Sequence, residues 1–342
     1  METLLGRAPR LSIIVPAFNN GNYLAPCLAA LRESLPTAAE LIVVDDASTD
    51  DTPAVAAAAG ACVLRMPRNG GPGAARNLGA QRARGHVLLF VDADVVVAPG
   101  ALARVERAFV DDPDLGALFG SYDDDPPWPS LVSRYRNLLH HFVHQEGDPS
   151  AGTFWAGLGA VRRTVFLAVG GFDAARFPRP SIEDIELGYR IRRAGHRIRL
   201  DRGLQGKHLK RWGLWSMIRT DVTCRALPWG RLLVRSAPST ADLNLRASQR
   251  VSAALTGLSL AAAVLALRWP GLLAVSGLAL AGVAILNRRF YALLWRRGGA
   301  RLAGAGYALH LLYFVYSAAS FVFVWLEARV GGGARPGDEG GR

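Results

Sequence analysis

Acids at the ends of apolar runs give this chain its first chemical signature. Leu41-Ile42-Val43-Val44 runs into Asp45-Asp46, and Val87-Leu88-Leu89-Phe90-Val91 runs into Asp92-Ala93-Asp94. A third pair, Glu183-Asp184, opens a helical pattern much later. Apolar runs of this length, separated by helical segments, read as buried parallel strands. Ligands of an open α/β sheet bind beyond the carboxyl ends of its strands. The pattern therefore aims several carboxylates at one crevice, a setting for a divalent cation, a phosphorylated ligand and a general base.

Each group has its own chemistry. Asp92-Ala93-Asp94 is a DxD, and carboxylate oxygens suit Mg²⁺ or Mn²⁺, which keep waters and bind diphosphate oxygens as well. The competing reading is a pair of solvated loop acids. Asp46 follows a strand and can accept hydrogen bonds from a base N–H or from ribose hydroxyls, while Ser48 or Asp50 can cap the next helix. Arg76-Asn77 follows Asn69-Gly70-Gly71-Pro72-Gly73 on the first turn of a helix, where a cation can reach a phosphate or a base. On a helix, Glu183 and Asp184 point in different directions, so one can face a crevice while a cation holds the other. A carboxylate is a natural base for an attacking hydroxyl, although acids at a helix start also complement its dipole. An unperturbed Asp, with a pKa of about 3.9, is ionised at pH 7. His208 lies beside Lys207, Lys210 and Arg211, cations that suit a diphosphate.

The elements that must position these groups alternate along the first part of the chain. Strands are expected at Leu11–Val15 (ending at Pro16), 41–44, 61–65, 87–91 and 115–120. Helices are expected at about 22–34, 48–59, 74–84 and 100–110. This βαβα order implies an α/β fold with a mainly parallel sheet and helices on both faces. Further on, Leu131, Tyr135, Leu138, Leu139 and Phe142 give 130–144 helical spacing; 153–161 is apolar and broken by glycine. A helix over 183–194 and a short strand over 197–200 complete the region.

Lys plus Arg number 40 against 28 Asp plus Glu, a net charge of +12. Much of the excess falls within 201–250, just ahead of three apolar runs at 251–267, 271–286 and 302–326. A basic stretch in that place suits an anionic membrane surface. Nucleic acid is not expected, because no recognition motif or stacking pattern accompanies the charge. A span needs about 17 to 25 residues, so the first two runs read as a tight hairpin and the third as a full span. Arg288, Arg289, Arg296, Arg297 and Arg301 lie between the second and third runs and put that loop on the side of the catalytic region, the cytoplasm. Arg211 and Trp212 begin a plausible interfacial helix over 211–235. Cys27, Cys62 and Cys224 are widely spaced and form no C-x-x-C pair, so neither a disulfide framework nor a zinc site is expected. The first apolar run is too short for a signal peptide.

The chain resembles membrane-attached family-2 glycosyltransferases of the GT-A fold. The resemblance rests on Ile13-Ile14-Val15-Pro16-Ala17-Phe18-Asn19, Val43-Val44-Asp45-Asp46-Ala47-Ser48-Thr49-Asp50, Gly73-Ala74-Ala75-Arg76-Asn77-Leu78-Gly79, Val91-Asp92-Ala93-Asp94 and Ile182-Glu183-Asp184. It covers roughly residues 10–235. It implies a Rossmann-like nucleotide-sugar-binding domain and inverting transfer of a sugar from a nucleotide donor, a UDP- or GDP-sugar. It implies that Pro16, Asp46, Arg76 and Asp92 touch the nucleotide. It further implies that Asp94 and His208 hold the divalent cation and that Asp184 is the base. Glu183, Arg211 and Trp212 are expected on the acceptor and membrane side. Processive synthases of the family carry Q-x-x-R-W, where this chain reads His208-Leu209-Lys210-Arg211-Trp212, and they have more membrane helices. A single transfer to a membrane lipid or lipid-linked acceptor is therefore expected. A polymer-forming synthase and a non-catalytic nucleotide-sugar-binding membrane protein are the alternatives. The expected organisation is a catalytic domain over 1–206, a basic interfacial segment over 207–250, transmembrane helices over 251–326 and a disordered tail over 327–342. The protein is expected in the inner membrane as a multi-pass chain with its catalytic domain facing the cytoplasm.

Overall fold

The computed structural model describes residues 11–37, 39–235 and 247–330. They form two compact units, one up to residue 212 and one from 213 onward. The first unit runs β1 (Leu11–Ala17), α1 (Gly21–Glu33), β2 (Ala39–Asp45), α2 (Thr52–Ala58), β3 (Cys62–Arg65), α3 (Gly71–Arg82), β4 (Val87–Val91), β5 (Val95–Val97), α4 (Ala101–Asp111) and β6 (Leu115–Tyr122). It continues with α5 (Leu131–Gln145), β7 (Leu158–Arg162), α6 (Arg163–Ala168), α7 (Glu183–Arg193) and β8 (Arg197–His208).

One eight-stranded sheet takes the order β3-β2-β1-β4-β7-β6-β8-β5. The pairings among β3, β2, β1 and β4 are parallel, as is β6 with β8; β7 runs antiparallel to both neighbours and β5 antiparallel to β8. The alternation of side chains along a strand explains why β4 is apolar throughout. Val87, Leu89 and Val91 enter one core layer with Ile13 and Val15, whereas Leu88 and Phe90 enter the opposite layer with Ile14 and Val44. Burial on both faces is what a run of five apolar residues encodes. Helix α3 lies close on this sheet, for a Cβ at Gly79 would sit 2.5 Å from Ile14 Cγ2.

Three details differ from the sequence reading. β1 runs through Pro16 to Ala17, with Pro16 opposite Val44. The three-residue β5 directly after the DxD was not expected. β8 extends to His208 instead of ending at Leu200, because β5 and β6 flank it along its length.

In the second unit α8 (Leu214–Arg219) passes through a π-helical turn, Thr220–Ala226, into α9 (Leu227–Arg235). Helices α10 (Ala247–Leu265), α11 (Leu272–Leu286) and α12 (Arg288–Val330) follow. Among the described residues α12 alone is long and apolar enough to cross a membrane, with α11 a shorter apolar helix. The arginines from 288 to 301, expected in a loop, are part of α12, which kinks at Gly298 and Gly299. The expected tail from 327 is helical as far as Val330, and its remainder lies outside the described residues. Its interior combines buried apolar side chains, among them Val283, Phe290, Leu294 and Phe314, with hydrogen-bonded polar ones. Ser259 Oγ meets Ser276 Oγ at 2.9 Å, Asn287 Nδ2 donates to Ser252 Oγ at 2.9 Å, and Tyr307 donates to Leu280 O at 2.8 Å.

Candidate active site

The carboxyl ends of β1, β2 and β4 bring Pro16, Asp46 and Asp92 to one edge of the sheet. Asp46 N–H donates to Ala17 O at 2.8 Å, which ties the two strand ends together. The Asp46 carboxylate is buried and accepts from two consecutive amides at the start of α3, Gly70 N–H at 2.7 Å and Gly71 N–H at 2.8 Å. Gly71 has φ +83°, and a Cβ there would lie 2.5 Å from Pro178 O, so glycine is required at this turn. Burial, with the neighbouring Asp45 charge, raises the Asp46 carboxyl above its ordinary value despite those two donors.

Arg76 stands at the centre of the acids. One terminal nitrogen donates to Asp92 Oδ1 at 2.7 Å and the other to Glu183 Oε1 at 3.0 Å, while the guanidinium sits 5.4 Å from the centre of the Phe172 ring. The Arg76 and Glu183 side chains are each only 6 % exposed, so this is a buried ion pair. Glu183 also accepts from Ser181 N–H at 2.8 Å. Glu183, expected on the acceptor side, is turned inward onto Arg76. Sequence reasoning foresaw one acid held by a cation, and Arg76 is that cation.

Its neighbour Asp184 is held by backbone alone. Ala156 N–H donates to Oδ2 at 3.1 Å and Ile185 N–H to Oδ1 at 2.8 Å. The contact with the 153–157 segment depends on Gly188, where a Cβ would lie 2.3 Å from Phe154 N. Burial first, and then the Glu183 charge, raise the Asp184 pKa to about 7; Arg76 and the two amides act in the opposite sense. The expectation of an ordinary, fully ionised carboxylate at pH 7 is corrected on that ground. A group poised near the operating pH is what a general base needs.

Asp94 meets His208 through strand register. β5 pairs antiparallel with β8 so that Val95 lies opposite His208, and Leu209 N–H donates to Asp94 O at 2.8 Å. His208 Nε2 then sits 3.4 Å from Asp94 Oδ2. On its other side His208 Nδ1 contacts Asn137 Oδ1 at 2.7 Å, and its ring stacks on Tyr122 at 4.3 Å with 7° between planes. A carboxylate and an imidazole nitrogen facing each other fit Mg²⁺ or Mn²⁺. No cluster of three or more such side chains forms among the described residues, so the remaining positions of an ion would fall to water and to ligand oxygens.

The structure separates Arg211 from Trp212. Arg211 is exposed and lies 5.6 Å from the Trp128 ring. Trp212 is 5 % exposed; its backbone is bound to Ser133 Oγ by two hydrogen bonds of 2.8 and 3.2 Å, and Lys210 Nζ lies 4.4 Å from its ring. Trp212 is thus a packing residue of the first unit and not a surface anchor. Trp215, 80 % exposed, has the free ring that sequence reasoning gave to Trp212. Asn137, Tyr122, His140 and Trp155 were missed. They come from α5, β6 and the 153–157 segment, and no motif or spacing marks them.

The glycosyl transferase family 2 model matches residues 12–170. Those residues are a family-2 glycosyltransferase domain. The matched segment of this domain includes Pro16, Asp46, Arg76, Asp92 and Asp94, while Glu183, Asp184 and His208 lie beyond it. Over 148 residues the chain is 32% identical to an uncharacterized protein, MT1568, of Mycobacterium tuberculosis, covering 42% of this chain and 46% of the relative. Over 108 residues it is 34% identical to succinoglycan biosynthesis protein ExoO of Rhizobium meliloti, covering 30% and 31%. The chain thus spans less than half the length of these curated relatives. The mannosyltransferase PcManGT from Pyrobaculum calidifontis, solved with GDP-Man and Mn²⁺, matches with a TM-score of 0.59 at 20% identity over 94% of this chain and 88% of that one. At that identity the likeness is one of fold, and the family-2 glycosyltransferase domain has the GT-A architecture.

Proposed function

We propose that the protein is an inverting glycosyltransferase that moves one sugar from a UDP- or GDP-sugar to a membrane lipid or lipid-linked acceptor. The observation that carries the reading is the setting of Asp184. Its carboxylate is held by the Ala156 and Ile185 amides, and it follows directly on Glu183, which shares Arg76 with Asp92 of the DxD. In this reading Asp184 takes the proton of the acceptor hydroxyl as its oxygen attacks the face of the sugar opposite the leaving group. Arg76 bridges Asp92 and Glu183 in one ion-paired cluster that keeps a net negative charge. Pro16, Asp46 and Asp92 line the nucleotide side. Asp94 and His208 would hold Mg²⁺ or Mn²⁺, which supplies positive charge to the departing nucleoside diphosphate; Lys210 adds a cation beside Asp94.

The lipid acceptor is supported by the region that follows Trp212 along the chain. Leu214, Trp215, Leu258, Leu260, Val264, Leu278, Phe321, Phe323 and Trp325 are all exposed. An extended apolar exterior is what a bilayer, not water, would stabilise, and hydrogen bonds between the helices suit the same setting. Multi-pass insertion with the catalytic unit in the cytoplasm, and the division into catalytic, interfacial and membrane-spanning segments, belong to the same reading.

The test is a paired assay in lipid–detergent micelles that follows nucleotide release and glycolipid formation, with the product's anomeric configuration read by NMR. Inversion and loss of both signals in excess chelator are expected. Retention of configuration would remove the single-displacement role of Asp184. Full activity in chelator would remove the metal role of Asp94 and His208. A long polymer as product would replace single transfer by processive synthesis, and donor binding without turnover would leave the non-catalytic alternative.

A further inference from the structure

Helix α5 has no part in the chemistry above, yet one of its faces grips the chain where β8 ends. Ser133 binds the backbone of Trp212, and Asn137, one turn later on the same face, meets His208 Nδ1 at 2.7 Å. Asn137 is 2 % exposed and His208 is 7 % exposed, so no water competes for that contact. Tyr122 covers the imidazole face, stacked at 4.3 Å, and the other ring nitrogen looks at Asp94 Oδ2 from 3.4 Å. The histidine therefore has a fixed ring plane and a fixed back contact, with one edge turned to the DxD.

A neutral imidazole donates from one nitrogen and accepts at the other, and the hydrogen bond at one decides what the other can do. With Asn137 Oδ1 as the acceptor, Nδ1 carries the proton. Nε2 then presents a lone pair toward the Asp94 carboxylate. Two acceptors facing each other leave a place that only a cation or a water can occupy. With the amide reversed, Nδ1 would accept instead, and Nε2–H would donate to Asp94 and close that place. Asn137 Nδ2 has no partner in its buried position, so the amide makes one contact, to the histidine, and the choice of end is the choice of tautomer.

We propose that Asn137 is the positioning residue of this site: it holds His208 in the Nδ1–H tautomer, so that Nε2 is available with Asp94 to bind a divalent cation. This rests on the metal reading above and adds the residue that makes that reading work. Groups that hold the back of a metal-binding histidine typically contribute 10- to 100-fold in metal affinity.

The experiment uses the full chain in detergent, labelled with ¹⁵N-histidine. Long-range ¹H–¹⁵N correlation assigns the His208 tautomer by its loss in His208→Gln. Mn²⁺ binding is read from the free-ion EPR signal in the presence of UDP, and in a second arm GDP. Nδ1–H is expected in the unsubstituted chain. Asn137→Leu is expected to release the tautomer and to weaken Mn²⁺ by about 10- to 100-fold. Asn137→Asp, which keeps an acceptor oxygen facing Nδ1, is expected to retain both. Thermal unfolding of each variant separates a folding defect from the effect; if Asn137→Leu unfolds, Asn137→Ser replaces it with the same expectation. Nε2–H in the unsubstituted chain overturns the proposal, and so does unchanged Mn²⁺ affinity in Asn137→Leu. Asp94→Ala distinguishes the two levels. If it removes Mn²⁺ binding while Asn137→Leu does not, only the positioning role fails; if it too leaves binding intact, the metal reading itself fails.

Discussion

Residues 11–212 seal Val87, Leu89 and Val91 on one side of β4 and Leu88 and Phe90 on the other. The described residues from 213 onward are more mixed: Leu258, Leu260, Val264 and Leu278 face outward, while Ser252, Ser259, Ser276 and Asn287 are buried, as are Phe290, Leu294 and Phe314. Among the described residues, only Phe18, Val110 and Leu167 of the exposed large hydrophobic side chains belong to the first unit. The first arrangement is driven by removal of apolar surface from water. The second buries apolar side chains as well and adds hydrogen bonds between its helices, such as Ser259–Ser276 and Asn287–Ser252. Buried polar groups have correspondingly different meanings. In the first unit several of them, Asp46, Arg76, Glu183 and His208, gather where the carboxyl ends of the central strands lie. In the second they form a seam between helices.

The sharpest way to break this contrast is to move the chemistry. Asp184→Asn should lower turnover by about 10²- to 10⁴-fold and leave donor affinity, measured by titration calorimetry, within a few fold. An equal loss of donor binding would return Asp184 to a structural part.

Next in size is the buried ion pair. Arg76→Met leaves Glu183 and Asp92 without their cation and should cost about 3–5 kcal/mol of stability, read as a lowered melting temperature. Arg104→Gln, which breaks an exposed bridge to Asp201, should cost only about 0–1 kcal/mol. Similar losses in the two variants would mean that the Arg76 cluster is not sealed from water.

The pH profile comes third. The base works deprotonated, and its pKa in the folded protein is about 7. The rate should therefore climb as pH rises through about 7 and level off above it. Two pH units below the midpoint it should stand on the order of 100-fold under the plateau. A flat profile between pH 5 and 8 would exclude Asp184 as the titrating base.

The smallest effect tests the second unit. Ser276→Ala removes one contact of the seam and should destabilise the helices by about 0.6 kcal/mol, with turnover per folded molecule unchanged. A loss of turnover would assign the seam a part in catalysis and dissolve the division of labour.

What could be read in advance follows from this contrast as well. β2 and β4 were legible because each is a fully apolar run stopped by acids, a pattern that buried parallel strands impose locally. The meeting of Asp94 with His208 was legible only through resemblance. It is made by β5, three valines too short to register as a strand, pairing across more than a hundred residues of chain. Asn137 and Tyr122 were not legible, because their roles come from which face of α5 and which end of β6 approach β8. Trp212 was misassigned for a related reason: a tryptophan beside an arginine looks the same in sequence whether its ring faces a bilayer or Arg136 on a neighbouring helix. The Asp184 pKa was invisible because its burial depends on Gly188 letting α7 close on Phe154.

The two amide contacts of Asp46 have a consequence for how a nucleotide can be received. In many dinucleotide-binding folds the start of a helix after a glycine turn is the seat of the pyrophosphate, because free N–H groups and the helix dipole converge there. Here Gly70 and Gly71, at the start of α3, already give their N–H groups to a carboxylate of the protein. The chain has in effect furnished that seat with its own resident anion. A second anion would meet a negative charge in place of open donors. The phosphates of an incoming nucleotide must then look for compensation at the other end of the sheet edge, where Lys210 and the Asp94–His208 pair stand. A helix terminus that in other folds recruits phosphate would here repel it, and so would help decide which way round the nucleotide lies.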